Sequence, residues 1–75
     1  MPETSYKFLD FFIVNLGPKT SIWSCQTKHA EELGTIRWYG PWRQYCFFPT
    51  VQAVYSAGCL NDIAAFINQL MSERK

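Results

Sequence analysis

Apolar and polar positions along the chain fall into four short segments with the pattern of β-strands and one longer segment with the pattern of a helix. Residues 20–28 illustrate the strand pattern, because Ile22 and Ser24 point to one face while Trp23 and Cys25 point to the other. Glycine-proline pairs mark turns between the first two segments and between the last two. We predict strands at residues 9–16, 20–28, 34–39 and 43–48, with a short helix as the alternative for residues 9–16.

The C-terminal part of the chain has the period of an amphipathic helix. Its apolar residues recur three or four positions apart and form one stripe: Cys59, Leu60, Ile63, Phe66, Ile67, Leu70 and Met71. Asn61, Asp62, Gln69 and Glu73 are predicted to face away from this stripe, and Ser56 suits the N-cap. Because such a helix needs a sheet to pack on, the predicted fold is α+β: an antiparallel three- to four-stranded meander packed against one C-terminal helix. We expect a single domain over residues 1–75, with residues 1–7 as a flexible lead-in.

The predicted sheet has apolar residues on both faces, although one helix can cover only one of them. In the third strand, Ile36 and Trp38 point to one face and Arg37 and Tyr39 to the other. In the fourth strand, Tyr45 and Phe47 point to one face and Cys46 and Phe48 to the other. The register of the hairpin at residues 34–48 decides which sets share a face, and a slip of one residue would exchange them. Three alternatives cover the second face: the N-terminal strand or residues 50–55, a second copy in a homodimer, or a ligand or protein partner.

The hairpin region is unusually aromatic and contains the candidate contact residues. Six of the eleven residues from 38 to 48 are aromatic, and no Asp or Glu lies between Leu33 and Asn61. Trp, Tyr and Arg dominate the energetics of interfaces, because they combine a large area with a polar group. We therefore predict a partner-binding surface, whose residues are Trp38, Trp42, Arg43, Tyr45 and Arg37. The alternative is that Trp38 and Tyr45 are core residues and that Arg43 only stacks on a ring.

Composition, charge and the absence of known motifs argue against several classes of function. A net charge of +1 argues against a binder of nucleic acid driven by charge alone, which is normally far more basic. The three cysteines are far apart in sequence and the chain has one histidine, so we predict buried free thiols, no metal site and no cofactor. No motif of paired carboxylates, catalytic triad or phosphate loop supports an enzyme or a catalytic residue. No signal peptide or membrane span is recognisable, and we expect a cytoplasmic protein with no membrane partner.

Two sequence blocks carry a resemblance to a known group of proteins. The segment LGTIRWYGPWRQYCFFP at residues 33–49, followed by CLNDIAAFI at residues 59–67, resembles small uncharacterised proteins from bacteriophages and bacterial mobile elements. The likeness extends over about residues 20–70, and its marker is the core W-Y-x-x-W-R-x-Y-x-F-F-P. The resemblance implies an accessory protein of phage or mobile-element origin that acts inside a bacterial cell by binding a host or phage protein.

The main functional hypothesis is a non-enzymatic accessory protein that binds a protein partner, or itself as a homodimer, through an aromatic and arginine-rich sheet surface. The alternative uses the same surface for nucleic acid or a nucleotide, with Arg37 and Arg43 on phosphates and the rings stacked on bases.

Overall fold

The computed structural model describes residues 3–73 and confirms the predicted α+β fold. Four strands form one antiparallel sheet in the order of the sequence, and a single α-helix follows. The elements are β1 (Leu9–Leu16), β2 (Ser21–Thr27), β3 (Glu32–Tyr39), β4 (Gln44–Pro49) and α1 (Ala57–Glu73). Since residues 9–16 form β1 with the predicted bounds, the alternative of a short helix there is wrong.

The register of the hairpin between β3 and β4 decides the two faces of the sheet. Ile36 lies opposite Phe47, and Trp38 lies opposite Tyr45, so these four side chains share one face. Helix α1 packs on that face, which we call the helix side. The other alternating set lies on the opposite face, which we call the open face: Arg37, Tyr39, Cys46 and Phe48.

The core lies between the helix side of the sheet and α1. Phe66, at the centre of the apolar stripe, is fully buried and stacks on Phe11 of β1 with a centroid distance of 4.1 Å. The edge of Trp23 meets the same Phe66 ring at 5.2 Å. Burial of each such side chain stabilises the fold by about 1.5–3 kcal/mol, so the helix and the sheet depend on each other for stability.

The link between β4 and α1 also lies on the helix side. The Tyr55 hydroxyl donates a hydrogen bond of 2.7 Å to the Leu33 carbonyl, and its ring meets Phe47 edge to face at 5.5 Å. Since β1 extends the sheet as an edge strand, neither of the two chain segments considered for covering the second face lies over it. A homodimer and a ligand or protein partner stay predictions for that face.

The N-terminal segment docks on β1 and α1. The Phe11 amide donates to the Thr4 carbonyl at 2.8 Å, and the Gln69 side-chain amide donates to the Glu3 carbonyl at 2.9 Å. The prediction of a flexible lead-in covers residues 1–7, of which residues 1 and 2 lie outside the described residues, while Glu3 and Thr4 make the two contacts above.

Two polar residues of α1 have a role that the helical period did not predict. Asp62 and Gln69 were predicted to face away from the packed side, which is wrong. The Asp62 carboxylate accepts a hydrogen bond of 2.9 Å from the Phe8 amide, and Gln69 donates to the Tyr6 hydroxyl at 3.1 Å. These two residues fasten the N-terminal segment to the helix. The helical period did not predict this role, because a hydrophobicity pattern cannot distinguish a polar residue in solvent from one bound to backbone groups.

The described part of the chain holds no candidate for a membrane-spanning helix, since α1 falls short of the length and apolar content that crossing requires.

Candidate functional site

The open face of the sheet is the candidate site, because its residues differ from those of an ordinary solvated sheet face. An antiparallel sheet with one packed face usually carries polar residues on the other. Here the open face carries Phe12, Arg37, Tyr39 and Phe48, with Trp42 beside it at the tip of the hairpin. Phe12 is 50% exposed and Trp42 is 66% exposed, so the apolar surface is accessible to a partner.

Arg37 and the rings around it form a packed cluster at one end of the open face. The Arg37 guanidinium lies over the Phe48 ring, with its central carbon 4.1 Å from the centroid. This cation–π contact restrains the Arg37 side chain, which is exposed to solvent. Tyr39 meets Trp42 edge to face at 5.2 Å and Phe48 at 6.1 Å. The cluster therefore presents rings and one cation in a preformed arrangement.

The turn of the hairpin places Trp42 at the tip. Gly40–Trp42 form one turn of 3-10 helix, with Pro41 supplying the required φ at its start. Arg43 then adopts a left-handed conformation with φ 53°, and its amide donates to the Gly40 carbonyl at 3.1 Å. The predicted start of the fourth strand at Arg43 is therefore wrong, since β4 begins at Gln44. A left-handed non-glycine residue is costly, and here it lies beside the exposed Trp42.

A shallow cleft lies beside this cluster at the edge of the sheet. Its volume is about 260 Å³, and it is lined by Tyr39, Trp42, Cys46, Phe47 and Phe48. Pockets for drug-sized ligands are typically about 300–1,000 Å³. The cleft is therefore slightly smaller than a typical pocket for a drug-sized ligand.

The middle and the other end of the open face are polar. The Ser24 hydroxyl donates a hydrogen bond of 2.6 Å to the Glu32 carboxylate and accepts one of 3.2 Å from the Gln26 side-chain amide. Asp10 pairs with Lys28 at 2.7 Å, and the hydrogen bond from the Lys28 ammonium lowers the pKa of the Asp10 carboxyl. Asp10 and Glu32 thus lie at one end of the face and Arg37 at the other.

The structure separates the five predicted contact residues into two groups. Arg37 is exposed on the open face, Trp42 is exposed at the hairpin tip beside it, and Arg43 is exposed in the turn directly after Trp42. Tyr45 is only 7% exposed and lies on the helix side, where Trp38 meets it edge to face at 5.5 Å. Trp38 and Tyr45 therefore lie on the core side of the sheet, as the alternative interpretation of the sequence had it. The partner-binding role of all five residues stays a prediction.

Sequence reasoning missed three aromatic members of the open face. Phe48 joins it because the hairpin register places it on the face of Arg37 and Tyr39. Phe12 joins it through the pairing of β1 with β2, where it lies opposite Ser24. The alternation in β3 already placed Tyr39 on the face of Arg37, so this signal was present in the sequence.

The cysteines and acidic residues do not assemble a metal site in residues 3–73, where no group of three or more His, Cys, Asp or Glu side chains comes together. Cys25 is fully buried in the core, and burial raises the pKa of its thiol to about 12. Cys46 is half-buried on the open face, directly opposite Arg37 in the register.

Comparison with known proteins gives a phage relative. The chain is 51% identical over 43 residues to an uncharacterised 9.3 kDa protein of Acholeplasma phage L2. The match covers 57% of this chain and 55% of the relative, so the chain spans about half of that protein's length. No family model matches the chain. No solved structure matches it either. The expected resemblance to small phage proteins is confirmed to this extent.

Proposed function

We propose that the chain is a non-enzymatic accessory protein of phage or mobile-element origin that binds a protein partner through the open face inside a bacterial cell. One observation carries the proposal: rings and an arginine occupy the face of the sheet that the helix leaves uncovered. Exposed apolar patches of this kind on small domains usually mark interaction sites. The similarity to a phage protein supports the context of the proposal.

The contacts of the open face suit protein recognition. Trp42 offers a large exposed ring at the hairpin tip, and Tyr39 braces it at 5.2 Å. Arg37 is held by Phe48, so little side-chain entropy is lost when its N–H groups bind a partner. Residues with these properties form the anchors of interfaces, and the neighbouring cleft can accept a side chain in return.

The test is a comparison of proteins captured from a lysate of phage-infected Acholeplasma by three forms of the chain. The double variant Trp42→Ala/Arg43→Ala removes the exposed tip, and Leu60→Ala removes a 52% exposed side chain on the helix instead. We expect one protein to be retained by the wild type and by Leu60→Ala and to be lost with the double variant. Identical capture by all three forms, with circular dichroism showing that each is folded, would contradict the proposal.

A second candidate function, binding of single-stranded nucleic acid, is favoured by the charge around the cluster. Among residues 3–73, no carboxylate lies within ion-pair distance of Arg37 or Arg43. Both are exposed, and Arg37 lies over the Phe48 ring. Phosphates could meet the guanidinium groups while bases stack on Tyr39 or Trp42. A titration with oligonucleotides at low and physiological salt, read by tryptophan fluorescence, tests this function. Saturable quenching that weakens with salt would support it, and a flat response would exclude this use of Trp42.

A further inference from the structure

The two edges of the sheet differ in how their outward backbone groups are used. At the β4 edge, the Tyr45 amide donates to the Met71 sulfur of α1 at 3.4 Å. The same strand ends at Pro49, which has no amide hydrogen to offer. Helix α1 and the proline therefore protect this edge against pairing with another strand. β1 forms the opposite edge of the sheet.

The first half of the β1 edge is paired within the chain. The Tyr6 amide donates to the Leu9 carbonyl, and the Phe11 amide donates to the Thr4 carbonyl, both at 2.8 Å. Residues 4–6 thus run antiparallel to β1 along its outer side. This pairing shows that the β1 edge accepts an extended segment.

The N-terminal segment leaves the edge at Glu3. Its amide donates to the Gln69 side-chain oxygen, and its carbonyl accepts from the Gln69 side-chain nitrogen, both at 2.9 Å. Because α1 binds both backbone groups of Glu3, the segment does not continue along β1 beyond Phe11. The second half of the β1 edge is therefore left open.

The second half of the edge keeps backbone groups that point outward. Phe11 turns its amide away from β2, so alternation turns that of Ile13 the same way. The register shift makes Val14 an extra residue, and the Gly17 amide bonds inward across the turn to β2, so Leu16 is the next outward position. Within residues 3–73, no group outside the pairing with β2 hydrogen-bonds to the backbone of Ile13 or Leu16.

The side chains of this half are apolar and exposed. Val14 is 62% exposed and Leu16 is 78% exposed. No charged residue lies between Asp10 and Lys19. Edge strands are usually protected by lysines, prolines or bulges, and this half of β1 has only the bulge at Val14. Free backbone groups flanked by apolar side chains are what an extended segment needs in order to add to a sheet.

We infer that the β1 edge from Ile13 to Leu16 binds an extended segment of a partner protein, which adds to the sheet as a further strand. Its backbone pairs with the outward groups of Ile13 and Leu16, beyond the stretch that residues 4–6 occupy. Its side chains here are uncharged, because a charged group would lose water against the apolar edge. This edge site goes beyond the proposed binding through the open face, since it includes neither Trp42 nor the arginines.

A library of random heptapeptides displayed on filamentous phage, selected against the immobilised wild-type chain, supplies the probe. Enriched peptides should be rich in β-branched and aromatic residues, without a central proline. Val14→Lys should weaken the binding of the best peptide at least about tenfold, because a lysine on an edge strand opposes strand addition. Val51→Lys is the matched control, since it makes the same change at a 99% exposed residue after β4, and it should bind like the wild type.

N-methylation of the synthetic peptide tests the strand pairing from the other side. Methyl groups on the alternate amides that face β1 remove hydrogen bonds and should abolish binding, while methyl groups on the other set should be tolerated. The unmethylated peptide should slow exchange of the Ile13 amide hydrogen with deuterated solvent, measured by NMR. Circular dichroism checks that each variant is folded, and Leu16→Lys replaces Val14→Lys if that variant is not.

Three results would overturn the inference. Selection that enriches no peptide would show that the edge does not accept an extended segment. Peptides that bind the folded lysine variant as tightly as the wild type would show that they bind elsewhere. Peptides whose binding is lost only in Trp42→Ala/Arg43→Ala would place the segment at the open face, which would support the proposed function and contradict the edge site.

Discussion

Phe11 and Phe66 stack face to face, with ring centroids 4.1 Å apart and ring planes 4° from parallel. This contact joins the edge strand β1 to the middle of α1, and Tyr6 from the N-terminal segment meets both rings edge to face at 5.5 and 6.3 Å. The stack therefore ties three parts of the chain that are distant in sequence. In a domain of 75 residues, whose net stability is only about 5–10 kcal/mol, one such contact is a large share of the total.

Truncation of Phe66 should severely destabilise the protein. Phe66→Ala is expected to lower the free energy of unfolding by about 3–5 kcal/mol, because it removes a fully buried ring and leaves a cavity. Leu60→Ala is the matched control on the same helix, since Leu60 is 52% exposed, and its effect should be below about 1 kcal/mol. Urea unfolding followed by circular dichroism measures both. A similar midpoint for the two variants would contradict this description of the core.

A methyl group at Gly34 should also destabilise the fold, for a different reason. A Cβ atom there would lie 2.5 Å from the Phe48 carbonyl oxygen and 2.7 Å from the Phe47 ring, so the backbone of β4 would have to move. We expect Gly34→Ala to lower the free energy of unfolding by about 1–3 kcal/mol.

Gly40→Ala is the control for Gly34, because nothing lies within 4 Å of the position a Cβ would occupy at Gly40. This variant should be neutral, or more stable by about 0.4–1 kcal/mol, since alanine restricts the unfolded chain. Thermal unfolding measures the stability of both variants. Equal losses of stability at the two positions would show that the close contact of Gly34 with β4 is not the reason that a glycine is needed there.

The elements of the fold were readable from the sequence because each carries its own period. β1 has its predicted bounds, and the stripe on α1 correctly identifies Ile63, Phe66 and Leu70 as core residues. The hairpin register was not readable, because it depends on the turn at Gly40–Trp42 and on the left-handed Arg43. Alternation alone fits either register equally well.

The open face was harder to predict than the fold, because it depends on pairing between distant segments. The register shifts at Ile13/Asn15 and at Cys25/Gln26 insert one residue into a strand and change which side chains continue on a face. An alternating pattern does not show where such a bulge lies. The sequence indicated apolar residues on both faces of the sheet, and the structure was needed to place Phe12 and Phe48 on the open face and Tyr45 beneath the helix.

The turn between β2 and β3 contains a strained residue that glycine should relieve. Ala30 has φ 66°, a left-handed conformation that costs an L-residue about 1–2 kcal/mol, and its amide donates to the Thr27 carbonyl at 3.0 Å. Ala30→Gly removes this strain but gives the unfolded chain more freedom, so a net gain of up to about 1 kcal/mol is expected. Ala30→Val should lower the stability, because branching at Cβ restricts this conformation further. A loss of stability in the glycine variant, measured by thermal unfolding, would show that the backbone at Ala30 is not strained.

Alkaline conditions should destabilise the protein through Cys25. Burial raises the pKa of this thiol from 9.0 to about 12, so the folded chain holds the proton that the unfolded chain releases above about pH 9. Stability is therefore fully present below pH 9 and falls as pH rises from 9 towards 12, by up to about 1.4 kcal/mol for each pH unit from this group. Burial also raises the pKa of Tyr6 and of Tyr55, which adds to the loss above pH 10. Urea unfolding at pH 8, 9 and 10 should show a smaller decline for Cys25→Ala than for the wild type, and equal declines would show that ionisation of this thiol does not oppose folding.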